Sequence, residues 1–330
     1  MINSFITLAA VSNGMSIFKP LYWLFGKCME GLLFVFNDQY FLALIVFTVL
    51  TRLVLFPFTI KQQKSTAKTS RLQPKIQKIQ KKYANTKDPR DRQKMQEEMQ
   101  DLYAREGHNP MNMGCGPMVF QMVFLMGIIG IIYYPIQYIL GIDIASHSNE
   151  IATAIGFDSK STSYFQIEIL QHFAKYKETL MTQFPDLFSA ANVSAIEEYK
   201  SHLYIGGLDM TQIPHWKDGI IVIIPILCLV TSMGSSLLST LIQKKTNPAV
   251  AQQQQQMLMM MLMMPLFSFY ISFKVSAAVG FYWIISNLVA MAQQLVMAKF
   301  FPPKRNIARE MVENTIQRRA REESIKNARK

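Results

Sequence analysis

Arg52 is the residue with the clearest chemical implication, because it interrupts the apolar run FLALIVFTVLTRLVLFPF, which extends from about Tyr40 to Phe58. Eleven residues into that run, it would lie about 16 Å deep by helical rise. An arginine at that depth costs several kcal/mol unless it faces water, a partner or a polar cavity. Snorkelling to an interface is the purely structural explanation, and mid-span depth argues against it. The other apolar runs contain no Asp or Glu, and Asp38 and Asp218 stand at run edges. The arrangement implies a hydrated pocket whose anion is brought by a substrate. Neutral polar groups that could line such a groove are Gln121, then Thr231, Ser232, Ser235, Ser236 and Ser239, then Asn287, Gln293 and Gln294. Singly, each would serve as well to glue helices together. Together with Arg52 they suit transient capture of a carboxylate on a segment crossing the membrane, where low dielectric strengthens the attraction.

Other chemistries find little support. Three cysteines, at 28, 115 and 228, form no CxxC or Cys/His ligand set, and the five histidines are scattered singly without an HExxH pairing. No metal site is expected. There is no GxxxxGK[ST], GxGxxG or GxSxG, so no nucleotide, cofactor or hydrolytic nucleophile is expected, and the chain does not read as an enzyme.

The elements that position these residues follow from composition. The 330-residue chain is 50% hydrophobic and only 17% charged, yet has a net charge of +12, so apolar and basic residues must be segregated. At least five apolar runs approach membrane length, which disfavours soluble and disordered classes. With 22 Met and 22 Phe against 15 Gly and 14 Pro, and no ten-residue alternation, the pattern is that of helices rather than a barrel. The expected fold is an all-α polytopic membrane protein with five transmembrane helices around a polar groove.

Residues 1–37 read as an extracytoplasmic segment. Its start lacks a basic region and a lipoprotein box, so no cleavage is expected. Leu21, Leu24, Phe25, Cys28, Leu32 and Val35 suggest one apolar face of an interfacial helix. The first span is assigned to 38–60. Residues 61–107 carry 13 Lys/Arg and form a basic hairpin of two amphipathic helices. Leu72, Ile76, Ile79 and Tyr83 stripe its first arm, and Met95, Met99 and Leu102 its second. Asn85-Thr86-Lys87 makes the turn, and Asp88-Pro89 starts the second arm. The second span is 111–140, followed by a polar region at 141–217 in which about Tyr164–Phe184 reads as a helix and the rest as loop. The third span is 219–242, a Gln-rich loop occupies 243–256, the fourth span is 257–274, and after the turn VSAAVG the fifth covers 279–300. The fourth opens MLMMMLMM, whose adaptable methionines would suit varied apolar partners or ordinary packing. A basic tail, 301–330, closes the chain.

The hairpin, the Lys244/Lys245 loop and the tail hold 13, two and nine Lys/Arg, and the alternate loops five or fewer. The positive-inside rule therefore puts the N-terminus outside and the C-terminus in the cytoplasm. The basic hairpin and tail could meet anionic lipid or ribosomal RNA, or simply enforce topology.

TRLVLFPFTIKQQKS, the basic hairpin, GHNPMNMGCGPMVFQM and PLFSFYISFKVSAAVGFYWIISN, in this order, resemble the YidC-type membrane protein insertase family over roughly 17–140 and 219–300. The resemblance implies a five-span bacterial cell-membrane protein with a groove open to cytoplasm and lipid. Arg52 matches the groove arginine, and Trp283 and Asn287 fall within the YW-to-SN signature. It implies nascent membrane proteins as substrates, insertion and chaperoning without a nucleotide, and a ribosome and the Sec translocon as partners. Three features depart from the family: VSAAVG replaces a PAGL-like turn, Val123 stands where a proline is common, and Ser235 and Ser236 occupy a stretch where Gram-positive relatives often carry glutamine. The absence of a large insertion between spans one and two points to a Gram-positive-like member. The competing classes are a small-solute transporter or channel with Arg52 as anion site, which predicts internal repeats that are not visible, and a ribosome-binding scaffold indifferent to Arg52.

Overall fold

The computed structural model describes residues 18–84, 88–106, 116–157, 165–246 and 254–328, and it is helical almost throughout. In chain order the helices are α1 (Lys19–Val35), α2 (Tyr40–Lys82), α3 (Pro89–Arg105), α4 (Gly116–Tyr133), α5 (Pro135–Tyr138), α6 (Ser148–Ala154), α7 (Phe165–Gln171), α8 (Phe173–Gln183) and α9 (Ala190–His202). After a two-stranded antiparallel ladder, Tyr204–Ile205 against Leu208–Asp209, come a 3-10 turn (Gly219–Val222), α10 (Ile223–Thr246), α11 (Gln254–Ser272), α12 (Ala277–Phe300) and α13 (Pro303–Ala328). Three stretches are long and apolar enough to cross a membrane: Tyr40–Gln62, Gly219–Ile242 and Ala277–Phe300. Within α4 and α11, the described apolar stretches Val123–Tyr133 and Leu262–Ser272 are shorter. The signal-peptide reading of the first residues, the Asn85–Lys87 turn and the GHNPMNMGC entry to the second span lie outside the described residues. So do the start of the Gln run and the side chains of Met257 to Met261.

The chain divides into two compact units, Met1–Thr51 with Gln121–Ser232 and Met264–Val289, and Arg52–Phe120 with Met233–Met263 and Ala290–Lys330. In the first, α1 buries Tyr22, Phe25, Gly26, Met29 and Leu33. Of the apolar face expected for an interfacial helix, Phe25 is buried, Leu21 and Leu32 are half-buried, and Leu24, Cys28 and Val35 are exposed. Close backbone approach sets the buried face. A Cβ on Gly26 would stand 2.1 Å from the Tyr138 carbonyl oxygen, and one on Gly130 would stand 2.3 Å from the Tyr22 ring. Phe25 packs edge-on to Phe47 of α2, with ring centroids 5.3 Å apart. The turn into α2 uses Asn37 and Asp38 at φ 53° and 59°, a left-handed conformation that Asn and Asp tolerate better than most residues.

The region 141–217 corrects the sequence reading twice. Tyr164–Phe184 is not one helix, because its described part is α7 and α8, separated at His172. The rest is not loop, because α6, α9 and the ladder fold with them. Ile144, Ile151, Ile169, Leu170, Leu180 and Ile196 are fully buried and join one continuous apolar core with α1 and α12 residues. Polar bonds lock the layers: Gln166 Oε1 accepts from Gln137 N at 3.2 Å, Lys177 pairs with Glu197 at 2.9 Å, and Lys200 Nζ donates to the Gln171 carbonyl that ends α7. Asp209 Oδ1 accepts from both the amide and the hydroxyl of Thr211, and Oδ2 from the Tyr204 hydroxyl.

This region also holds the start of α12. The amides of Ala277 and Ala278 donate to the carbonyls of Gln212 and Met210 at 2.8 and 2.9 Å, and those of Val279 and Gly280 donate to Ser276. The residues predicted as a VSAAVG turn therefore include the first turn of the helix itself.

In the second unit the first hairpin arm is no separate helix: α2 continues from the apolar run to Lys82, 43 residues in all, or about 65 Å at 1.5 Å per residue. Leu72 and Ile76 are buried as the stripe predicted, while Ile79, Tyr83, Met95, Met99 and Leu102 are half-buried. Asp88 caps α3, its carboxylate accepting from Arg90 N at 2.9 Å with Pro89 in the first turn. The arms are joined by ion pairs Lys75–Glu106 and Lys82–Glu98, with the Tyr83 hydroxyl donating to Glu98 at 2.9 Å. The hydrogen bond from Lys82 holds the Glu98 carboxyl below its ordinary range and, reciprocally, holds the Lys82 ammonium above its own.

Candidate functional site

Threonine and amide side chains meet twice along α12. In the first unit Asn287 Nδ2 donates to Thr231 Oγ1 at 3.3 Å, and that hydroxyl donates back to the Leu227 carbonyl at 2.7 Å. In the second unit Gln293 Nε2 donates to Thr59 Oγ1 at 3.2 Å, and that hydroxyl donates to the Leu55 carbonyl at 3.1 Å. A threonine is suited to this role because its hydroxyl can satisfy its own helix and still offer a lone pair to a neighbour. Such bonds between apolar helices are worth about 0.6 kcal/mol on average.

Arg52 belongs to the second unit with Ser235 and Gln293; Thr231, Trp283, Asn287 and Gln121 belong to the first. The Gln121 side chain lies outside what is described. Ser235 is half-buried, and half-buried Trp283 packs against the apolar core. Arg52 is half-buried and engaged by a neighbouring group, so it is not the bare cation that the run around it suggests.

Sequence reasoning missed Thr59. The signal was its spacing from Arg52: seven residues places the two on one helix face. Gln294, one residue beyond Gln293, has Oε1 buried without a hydrogen-bond partner among the described residues. A buried, unsatisfied amide oxygen in an otherwise apolar helix marks a place where a further polar group is favoured. Among the described residues no three His, Cys, Asp or Glu side chains gather as a metal set.

Long apolar helices and a basic hairpin agree with the comparison with known proteins. Residues 32–304 match the family model described as 60Kd inner membrane protein. The chain belongs to that family. Among curated members, "Membrane protein insertase YidC" of Oceanobacillus iheyensis is 43% identical over 103 residues, 31% of this chain and 38% of that protein. "Membrane protein insertase YidC 1" of Listeria monocytogenes is 45% identical over 92 residues, 28% of this chain and 31% of the relative. "Membrane protein insertase MisCB" of Bacillus subtilis is 34% identical over 128 residues, 38% of this chain and 44% of the relative. The aligned stretches thus span less than half the length of these relatives. The YidC-type resemblance read from the motifs agrees with this 60Kd inner membrane protein membership, and the named relatives come from Gram-positive bacteria.

Proposed function

We propose that the protein inserts integral membrane proteins into a bacterial cell membrane and helps them fold. The observation that carries this reading is the family match across 32–304, together with relatives named as membrane protein insertases. In this reading five spans surround a polar groove, with the N-terminus outside and the basic hairpin and tail in the cytoplasm. Arg52, Gln121, Thr231, Ser235, Trp283, Asn287 and Gln293 line the groove. No covalent chemistry, nucleotide or metal is required of the chain. A client's hydrophilic tail enters the groove, a carboxylate on it is held transiently by Arg52, and its apolar segment slides into lipid beside the third and fifth spans.

Hydrophobic burial of the client segment supplies the main driving force. The membrane potential adds about 2.3 kcal/mol per charge per 100 mV and drives an acidic tail outward. Arginine suits the holding step because its guanidinium stays charged at depth and offers a planar fork to a carboxylate. Partners in this scheme are nascent membrane proteins, the ribosome at the basic hairpin and tail, the Sec translocon and the bilayer itself.

The deciding test reconstitutes the purified protein in liposomes without ATP and follows protease protection of a short single-span client with one Asp in its translocated tail. Protection above that of empty liposomes is expected. No protection, with a positive control working, overturns the reading. Arg52→Ala should then slow this client by about tenfold or more, the scale of a lost charge-assisted hydrogen bond. Arg52→Lys should be milder, and a client without the Asp should be indifferent to both. Equal rates for wild type and Arg52→Ala would remove the electrostatic step.

A further inference from the structure

The helix α13 leaves three large aliphatic side chains in water. Met311, Val312 and Ile316 are 51%, 59% and 61% exposed, and Val312 and Ile316, four residues apart, stand one turn above the other. The charges around them are ordered. Arg305 and Arg309 precede Val312 and Ile316 by seven residues and so share their edge of the stripe, while Arg318 follows Met311 by seven and takes the other edge. All three arginines are exposed, as is Gln317 on the opposite side of the helix, while exposed Glu313, four residues after Arg309, flanks the arginine edge. An apolar stripe edged by arginines suits a helix lying in a membrane surface better than one in water.

The start of α13 supports the same occupant. The apolar helix α12 ends at Phe300, and α13 begins at Pro303. The two linking residues are held in place: Phe301 N donates to the Met297 carbonyl at 2.9 Å, the Phe301 ring meets Phe56 edge-on at 6.4 Å, and Arg305 N donates to the Pro302 carbonyl. The stripe thus lies within a few turns of the end of a helix apolar enough to span a bilayer. RNA contact would use the arginines but would leave Met311, Val312 and Ile316 without purpose.

We propose that residues 303–318 dock in the plane of the membrane surface on anionic phospholipid headgroups, with Met311, Val312 and Ile316 inserted and Arg305, Arg309 and Arg318 on phosphates. This rests on α12 crossing the bilayer. It makes the first half of the tail a lipid-sensing segment, free of the surface where anionic lipid is scarce.

The test uses the full chain with Cys28, Cys115 and Cys228 replaced by Ser, carrying an environment-sensitive fluorophore at Val312→Cys or, on the opposite face, Gln317→Cys. Each protein is reconstituted in vesicles of phosphatidylglycerol with phosphatidylcholine or of phosphatidylcholine alone. In the anionic vesicles the probe at 312 should shift to the blue and lose iodide quenching several-fold, while the probe at 317 stays wet. Replacing Arg305, Arg309 and Arg318 by Gln should weaken the docking by about fivefold per arginine. Impermeant maleimide at Lys274→Cys and Phe300→Cys reports separately whether the ends of α12 lie on opposite sides. Ends on opposite sides with 312 as wet as 317 overturns the docking alone. Ends on the same side overturns the spanning reading and the docking with it. Shielding of 312 only after ribosomes are added also overturns it, in favour of RNA.

Discussion

Glycines 26 and 31 sit on the same short helix and should respond oppositely to the same change. A methyl on Gly26 meets the Tyr138 backbone oxygen at 2.1 Å, which no side-chain motion relieves, whereas a methyl on Gly31 meets nothing within 4 Å. Gly26→Ala is expected to destabilise by about 1–3 kcal/mol through overpacking. Gly31→Ala should stabilise by roughly 0.5–1 kcal/mol, because glycine is a poor residue in a helix interior. Thermal unfolding in detergent compares the two, and the same sign for both would discount the contact. The Thr59–Gln293 bond predicts a double-mutant coupling of about 0.6 kcal/mol between Thr59→Val and Gln293→Leu. A coupling of zero would mean that the two side chains do not depend on one another.

Elements differ in how far the sequence reveals them. The second hairpin arm was legible to the residue, since Asp88-Pro89 is a self-contained start signal whose partner, Arg90 N, is two residues away. The first arm was legible in its stripe but not in its continuity. The change from apolar to basic composition near Lys61 suggests a boundary, yet Lys, Gln and Ala are good helix formers, so nothing there stops the helix. The face that α1 buries against the protein was not legible, because Gly26 and Tyr22, neither a strong apolar signal, are chosen by close contact with Tyr138 and Gly130.

The hairpin has its own pH dependence. The Glu98 carboxyl is held low, so its contribution is complete above the ordinary carboxylate value and is lost as pH falls through the depressed one. The Lys82 ammonium is held high, so its contribution is complete below the ordinary lysine value and is lost as pH rises through the elevated one. Spin labels across the two arms should show a constant distance at neutral pH and splaying in acid and in strong base. Glu98→Gln should reduce the acid limb without abolishing it, because Lys75–Glu106 remains. An unchanged acid limb would exclude Glu98 as its source.

At the scale of the molecule, region 141–217 was the part least visible in advance. Its helices have 7, 7, 11 and 13 residues, too short to be stable alone and too short for a clear period. Their stability comes from a shared core that joins residues distant in sequence, such as Ile151, Phe173 and Ile196. Phe173→Ala should therefore cost about 3–5 kcal/mol. Hydrogen exchange should show protection lost across α7–α9 together rather than at one helix; loss confined to α8 would contradict a single core. Thr231, Asn287 and Gln293 were nameable one by one from their place in apolar runs, but Thr59 and its pairing with Gln293 were not, since 234 positions separate the two.

The docking of this region on α12 has an electrostatic consequence. A helix normally opens with four unsatisfied amides and a partial positive charge, a natural trap for anions. At α12 all four, from Ala277 to Gly280, already have carbonyl acceptors. The amides at that end are thus already spent, so the usual helix-start attraction for a carboxylate on an acidic peptide is weakened there.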